Sequence, residues 1–455
     1  MSGLGIKTVE DAKAIVNERG IKNIKIGFFD ADGIMRGKYM SREKFFSSLD
    51  KGFAFCDVVL GWDSNDQLYD NVKYTGWHTG YPDAPLRIIP ETCRELPFEE
   101  NTLLFLAEFT DEAEKVCPRG TLRKVMKKAN EMGLSAFGSC EFEFFVFNED
   151  SKSIREKNFN DLEPISPGNF GYSMLRAAEF SEVYEDLLQL SEDMDFPIEG
   201  LHTETGPGVL EAALAYCDLL DAGDKAALFK TYTKIMLARQ GMMATFMAKW
   251  SPDYPGQSGH IHISLKNDDG SSAFYDDSKD NNMSDKMRWF IGGQQKLMPQ
   301  FLAMVACTVN SYSRLIPGFW APTEASWGVE NRTCAIRAIP GSQNSQRVEY
   351  RIAAADINPY VALSAALGSG LWGIENKIEP VEEVVGSSYD KTFSDELQLP
   401  RTLMEAATAL KASKAAREMF GDEFVEHYGA TREWEEREFR KAITDWELKR
   451  YFEII

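Results

Sequence analysis

Three short segments of this 455-residue chain place ionisable side chains at alternate positions, with apolar residues between them. In CEFEFFVF, Glu141 and Glu143 alternate with Phe142 and Phe144. In SGHIHISL, His260, His262 and Ser264 alternate with Ile261 and Ile263; in QRVEYRIA, Arg347, Glu349 and Arg351 alternate with Val348 and Tyr350. A strand sends residues i, i+2 and i+4 to one face, so each segment predicts one chemical face and one core face. A sheet wet on one side gives the same alternation without any function. Two features argue against that. A solvated face usually mixes Lys, Thr and Ser, whereas two of these faces are Glu-x-Glu and His-x-His; and two of the chain's five histidines sit in one such pair.

Glu204 and Glu211 flank Gly206-Pro207-Gly208 in LHTETGPGVLEAAL, a sharp turn able to bring both toward one point. Gathered in one cavity, Glu141, Glu143, Glu204, Glu211 and Glu349 would repel one another prohibitively without cations. Oxygen-rich donors with one imidazole suit Mg2+ or Mn2+ better than structural Zn2+. Hard cations of this kind neutralise nucleotide phosphates during phosphoryl transfer. Arg314, Arg332, Arg337, Arg347 and Arg351 add forks that fit carboxylates and phosphates and cannot act as bases. No P-loop, Rossmann fingerprint, zinc-finger spacing or Ser/His/Asp arrangement competes with this set.

The elements that must position these residues follow from the pattern along the chain. IKNIKIGFFDADGIMRGKYM reads as two strands joined around Asp32-Gly33, and LRIIP and TLLFLAEFT as further strands, ending a first domain near residue 110. Among the aromatic residues between them, Phe53, Phe55, Trp62, Tyr69 and Trp77 are expected mostly in a local core. CPRGTLRKVMKKANEMG opens a second unit, with Pro118 near a helix start and Gly133 at its end. SEVYEDLLQLSEDMDF and DKAALFKTYTKIMLARQGMMATF have helical spacing, and NDDGSSAFYDDSKDNNMSD reads as an exposed loop. REWEEREFRKAITDWELKRYFEII reads as helix with exposed charges and buried aromatics.

The division is therefore α+β, a small domain over 1–110 and a larger one over 111–455, as the length also suggests. A formal charge of −21 argues against a nucleic-acid groove. No 18-residue apolar run is present, so no membrane span is expected. Seven scattered cysteines without CxxC, and an N-terminus lacking an apolar signal core, point to the cytoplasm.

In order along the chain, Glu-x-Glu, Glu-x-Gly-Pro-Gly-x-x-Glu, Ser-Gly-His-x-His-x-Ser, Asn-Ser-Tyr-x-Arg-Leu-x-Pro-Gly, Asn-Arg-x-x-x-x-Arg and Arg-x-Glu-x-Arg together resemble the glutamine synthetase superfamily. DINPYVALSAALGSGLWGI and ITDWELKRYFEII fit it too, and the match is loosest in the first hundred residues and over 375–395. The resemblance implies a small β-grasp-like domain and a catalytic domain with a curved antiparallel sheet. It also implies homo-oligomers, commonly dodecamers of two hexameric rings, with active sites at subunit interfaces. By that resemblance Glu143, Glu204 and Glu211 hold one metal and Glu141, His260 and Glu349 the other, with two or three Mg2+ or Mn2+ per site. Arg314, Arg351 and Gly256 would bind glutamate, and His262, Ser264 and Arg347 would face ATP. Arg332 and Arg337 would stabilise the phosphoryl group as γ-glutamyl phosphate forms.

The departures from the family pattern concern the second substrate. Glutamine synthetases normally carry a flap glutamate after Pro-Gly-aromatic; here Pro317-Gly318-Phe319 is followed by Trp320. The loop that normally supplies Asp and Ser for ammonium reads Phe55-Cys56-Asp57-Val58-Val59-Leu60, where Asp57 alone fits. The expected amine pocket is Trp320, Phe319, Asp57 and Val59, with Asp57 also the candidate proton acceptor. An aromatic group in place of an anionic base favours an organic amine, an apolar aryl- or small alkylamine such as aniline or isopropylamine. The alternatives are an ordinary glutamine synthetase using ammonia and a catalytically silent scaffold or nitrogen-signalling member.

Overall fold

The computed structural model describes residues 4–455. Its first sheet has five strands: β1 (Asn23–Phe29), β2 (Met35–Ser41), β3 (Phe53–Cys56), β4 (Asp83–Glu95) and β5 (Leu103–Phe109), in the order β2-β1-β5-β4-β3. β1 and β5 run parallel and the other pairs antiparallel. Every residue of β5 is buried, and its alternate side chains enter different cores. Leu103, Phe105, Ala107 and Phe109 join the small domain's own core, whereas Leu104 and Leu106 join that of the large body. A strand covered on both faces reads as a continuous apolar run, as LLFLAEF does.

The β1–β2 hairpin locks the two parts together. Gly33 takes φ 75°, as its turn requires, and a Cβ there would lie 3.2 Å from Asn358 Cα. Asn358 donates from Nδ2 to Asp30 O (2.9 Å) and Ala31 O (3.2 Å). Arg432, buried in the helix Asp422–Phe439, donates to the Asp32 carboxylate and to Cys307 O (2.7 Å).

The second sheet carries β6 (Leu134–Phe147), β7 (Ile198–Thr203), β8 (Val209–Leu214), β9 (Cys217–Asp218), β10 (Met243–Thr245), β11 (Gly259–Asn267), β12 (Trp327–Val329), β13 (Ile336–Ile339) and β14 (Arg347–Tyr350). Its main order is β12-β13-β14-β11-β6-β8-β7, with β9 and β10 also on β6; β12 and β13 are parallel and the rest antiparallel. The three segments singled out by alternation are thus adjacent strands. Residues 134–143 of β6 alternate strictly between buried and half-buried, and the buried set includes Phe142, which stacks on Phe229 at 6.0 Å. Phe229 belongs to the helix Leu219–Arg239, which with the helix Pro359–Asn376 covers the back of the sheet. We propose the domain boundary at 110/111, just after β5 and before the helix Pro118–Glu131.

Three expectations need correction. The helix expected to run to Phe246 ends at Arg239, because Gly241 takes φ 74° and Met243–Thr245 pairs with β6 instead. Trp77 lies outside any core, 78% exposed and edge-on to Tyr81. The C-terminal segment breaks after Phe439 and resumes as Asp445–Tyr451; Trp434 is buried, but Phe439, Trp446, Tyr451 and Phe452 are exposed in this chain. All seven cysteines are free, five of them buried, and no helix among the described residues is long and apolar enough to cross a membrane.

Arg432→Ala removes the partner of a largely buried carboxylate and should destabilise the chain by about 3–5 kcal/mol. A urea midpoint within error of the parent chain would contradict the assigned role of this ion pair.

Candidate active site

Register decides which side chains meet. Arg337 on β13 lies opposite Glu349 on β14, and Glu349 opposite His262 on β11. His260 on β11 pairs with Glu141 on β6. Glu143 on β6 pairs with Glu211 on β8, and Glu211 with His202 on β7. Three rows of ionisable groups therefore cross one face of the sheet.

The β7–β8 turn brings Glu204 in beside them. Gly206 (φ 147°) and Gly208 (φ 70°) make this possible, since a Cβ at Gly206 would meet the Phe145 ring at 2.7 Å and one at Gly208 the Val146 carbonyl at 2.8 Å. The rows floor a cavity of about 570 Å3. Its walls include Arg314, Arg332, Arg347 and Arg351, together with Phe319, Trp320, Tyr172 and Gly256. Gly256 permits the close approach of Arg314, whose Cγ would lie 2.6 Å from an added Cβ.

The electrostatics are those of a site built for cations. Burial, a shared hydrogen bond with Glu141 and repulsion from Glu141, Glu143 and Glu204 push Glu211 up to about 12. Burial pushes Glu143 up to about 7, although the Ser258 N–H donates to it. Burial also opposes ionisation of Glu141, but the neighbouring Glu211 carboxyl and the imidazoles of His260 and His262 outweigh it and hold that carboxyl low. Glu349 is buried yet held down at about 2 by Arg351, His260, His262 and Arg337. Burial and then Arg351 drive His260 down to about 4, so its imidazole is neutral and can ligate. Its buried Nδ1 has no hydrogen-bond partner among the described residues and lies 3.6 Å from Glu141 Oε1 and 3.4 Å from Glu349 Oε1.

Ligand atoms of Glu141, Glu211 and His260 fall within 4.8 Å of one another, as do those of His202, Glu204 and Glu211. These hard donors, with an orphaned imidazole nitrogen among them, fit divalent cations. The geometry groups them differently from the resemblance: Glu211 serves both clusters, while Glu349 is engaged by Arg337 and Arg351 and Glu143 by Ser258.

Of the remaining expected residues, Arg314 is buried and donates to Ile352 O (2.9 Å) and Arg351 O (3.1 Å). Arg347 Nε donates to His262 Nδ1 at 3.3 Å, which puts that ring's proton on Nε2, 3.5 Å from Glu141 Oε2. Ser264 lies further along the same face, outside the cavity, 3.2 Å from the Tyr216 hydroxyl. Phe319 packs under the Lys249 ammonium, 4.7 Å from the ring centre.

Asp57 and Val59 do not reach the cavity in this chain. Val59 is in the small domain's core, and Asp57 accepts from Thr75 Oγ1 at 2.7 Å. The sequence reading missed His202 and Tyr172. His202 carried the same signal as the others, sitting at i, i+2 from Glu204. Tyr172 carried none, because it arrives on an irregular loop with φ 56°; its ring lies tilted against His202, 4.6 Å between centres.

Residues 115–451 match the family model for the catalytic domain of glutamine synthetase. Type-1 glutamine synthetase 2 of Dictyostelium discoideum is 46% identical over 440 residues, covering 95% of this chain and 84% of that protein. Glutamate–isopropylamine ligase of Pseudomonas sp is 35% identical over 460 residues, the whole of both chains. The solved GmaS/ADP complex, conformation 1, superposes with a TM-score of 0.84 over 97% of this chain and 99% of that one, at 25% identity.

Cation binding must expel the protons held by Glu211 and Glu143. Mg2+ affinity should therefore rise with pH by up to roughly tenfold per unit for each proton released, the Glu143 contribution levelling off above about pH 7 and the Glu211 contribution continuing beyond it. Titration calorimetry in buffers of different ionisation enthalpy checks this; a pH-independent affinity with no proton release would contradict the charge assignment. The raised carboxyls also make the folded state hold more protons than the unfolded one above the ordinary carboxylate range. In chelator, stability should fall as pH rises, and Mg2+ should restore it.

Proposed function

The chain belongs to the glutamine synthetase family and is an ADP-forming acid–amine ligase, and from that premise we propose that it joins the γ-carboxylate of glutamate to an organic amine. Glu143, Glu204 and Glu211 would hold one divalent cation and Glu141, His260 and Glu349 a second, with His202 beside the first. Mg2+ or Mn2+, two or three per site, would neutralise the ATP phosphates.

Arg314 and Arg351 bind the substrate's carboxylates, with Gly256 leaving them room. His262, Arg347 and Ser264 face ATP. The glutamate γ-carboxylate oxygen attacks the terminal phosphorus of ATP, the bond to the bridging oxygen breaks, and ADP leaves. Arg332, exposed at the rim, and Arg337 meet the negative charge on the phosphoryl group in flight. The amine nitrogen then attacks the carbonyl carbon of γ-glutamyl phosphate, and phosphate departs with the C–O electron pair and takes up the proton that the nitrogen loses.

The observation that carries the organic-amine reading is Trp320. It is 60% exposed, with φ 60°, and lies on the cavity wall rather than packed beneath the flap. A residue present only for packing would be covered. A large apolar face there favours a carbon-bearing amine. All five carboxylates lining the cavity are already assigned to cations, so an arylamine, neutral at pH 7, is the easiest substrate to accept. For an alkylammonium ion, Asp57 of a second copy in a ring-shaped homo-oligomer, of the two-hexamer kind, would take the proton. Seven free cysteines suit the reducing cytoplasm we assign to the protein. The competing substrate, ammonia, is favoured by the glutamine synthetase name of the Dictyostelium relative.

ADP release should be measured with glutamate, ATP and Mg2+ against ammonia, methylamine, isopropylamine, ethanolamine, putrescine and aniline. An apolar amine is expected to exceed ammonia in kcat/KM by about tenfold or more, consistent with about 1–3 kcal/mol from apolar pocket contacts; highest activity with ammonia would overturn the reading. Trp320→Glu should gain ammonia use, and no gain would assign the residue to packing. Glu349→Ala should lower turnover by roughly a hundredfold or more, since even outer-shell partners of metal ligands are worth about 10–100-fold. Full turnover in that variant would remove Glu349 from the metal site.

A further inference from the structure

We infer that Glu330 is a positioning residue for phosphoryl transfer, acting through Arg337; the inference rests on the reading of Arg337 given above. Glu330 directly follows β12, and its N–H donates to Ala338 O at 2.9 Å, which holds it beside β13. Its Oε2 accepts from Arg337 Nε at 3.0 Å and also from Nη2. On the opposite edge of the guanidinium, Nη1 donates to Glu349 Oε2 at 2.9 Å. Three of the five N–H bonds are thus committed to two carboxylates, leaving one on each terminal nitrogen. Arg337 lines the cavity, so the remaining donors are available to a ligand there.

A guanidinium held by Glu349 alone could still turn about that one contact. The second carboxylate fixes its plane. Backbone preference does not explain the residue choice, because Glu330 adopts φ 51°, a conformation Gly or Asn takes at lower cost. Nor does stability explain it well. The Glu330 side chain is 48% exposed, and ion pairs to solvent-exposed carboxylates contribute little to folding. What the pair supplies is a fixed direction for the charge that meets the phosphoryl group, and misplacing such a group by about 1 Å can cost on the order of a hundredfold in rate.

The test uses the full chain with ATP, glutamate, Mg2+ and hydroxylamine, a small nucleophile that is largely neutral at pH 7 and traps an acyl phosphate as the hydroxamate whichever amine is natural. Glu330→Ala should lower kcat by about 10–100-fold. KM for ATP and for glutamate should stay within about threefold, and Tm should change little. Glu330→Gln, which keeps an acceptor oxygen, should recover part of the rate. Glu330→Ala combined with Arg337→Lys should be no slower than Arg337→Lys alone, within about twofold. An unchanged kcat in Glu330→Ala, losses that multiply in the double variant, or a Tm that falls in step with kcat would each overturn the inference. Full turnover in Arg337→Lys would instead show that the reading of Arg337 fails, and the inference with it.

Discussion

Repulsion among five carboxylates on one sheet face is the constraint around which this molecule is organised. Glu141, Glu143, Glu204, Glu211 and Glu349 come from four neighbouring stretches of chain and open onto one cavity. They cannot all be ionised together, as the displaced Glu211 and Glu143 record. Such a cluster persists only where the remainder of the fold holds it. The opposite face of the sheet supplies that hold: Phe142, Phe144, Ile261, Ile263, Val348 and Tyr350 are all fully or almost fully buried. Each contributes roughly 1.5–3 kcal/mol of the kind that binds the sheet to its covering helices. Alternation in the strand thus couples the cost of the charged face to the gain of the apolar one.

The arginines complete the balance asymmetrically. Glu349 is neutralised within the chain by Arg337 and Arg351, whereas among the described residues the ion-pair contacts of Glu211 and Glu204 are with His202, at 3.7 and 3.8 Å. One side of the cavity is therefore prepared for anions and the other for cations. That polarity suits a reaction between a carboxylate and a nucleotide phosphate, in which divalent cations held by the acidic side and the guanidinium forks of the other would share the phosphate charge. The flap lies at the mouth, where Gly318 and Trp320 both take left-handed backbone, so the aromatic face of Trp320 is presented by the local chain path rather than by packing.

Much of this was legible in the sequence because a strand's period of two leaves a record that needs no tertiary information. Glu141/Glu143, His260/His262 and Glu349/Arg351 each announced a face, and the structure places the three strands side by side. The same rule applied to His202 and Glu204 would have found the histidine. Residues on irregular backbone were not legible: Tyr172 lies on a loop whose course is set by contacts such as its N–H to Thr203 O at 2.8 Å. The pairing of Glu330 with Arg337 was equally hidden, since it depends on the parallel register of β12 with β13. Asp57 and Val59 were assigned by resemblance, and within one chain the small domain keeps both away from the cavity. The C-terminal aromatics misled because helical spacing specifies a face without specifying what covers it.

We propose that this cavity activates glutamate as an acyl phosphate before the amine attacks. Glutamate carrying oxygen-18 in its γ-carboxylate tests it most directly, using turnover with Mg2+, ATP and the best amine of the panel, followed by mass analysis of the phosphate released. A single heavy oxygen, carried over from the carboxylate, is expected in every phosphate formed. Phosphate containing only ATP and solvent oxygen, with amide still produced, would contradict it.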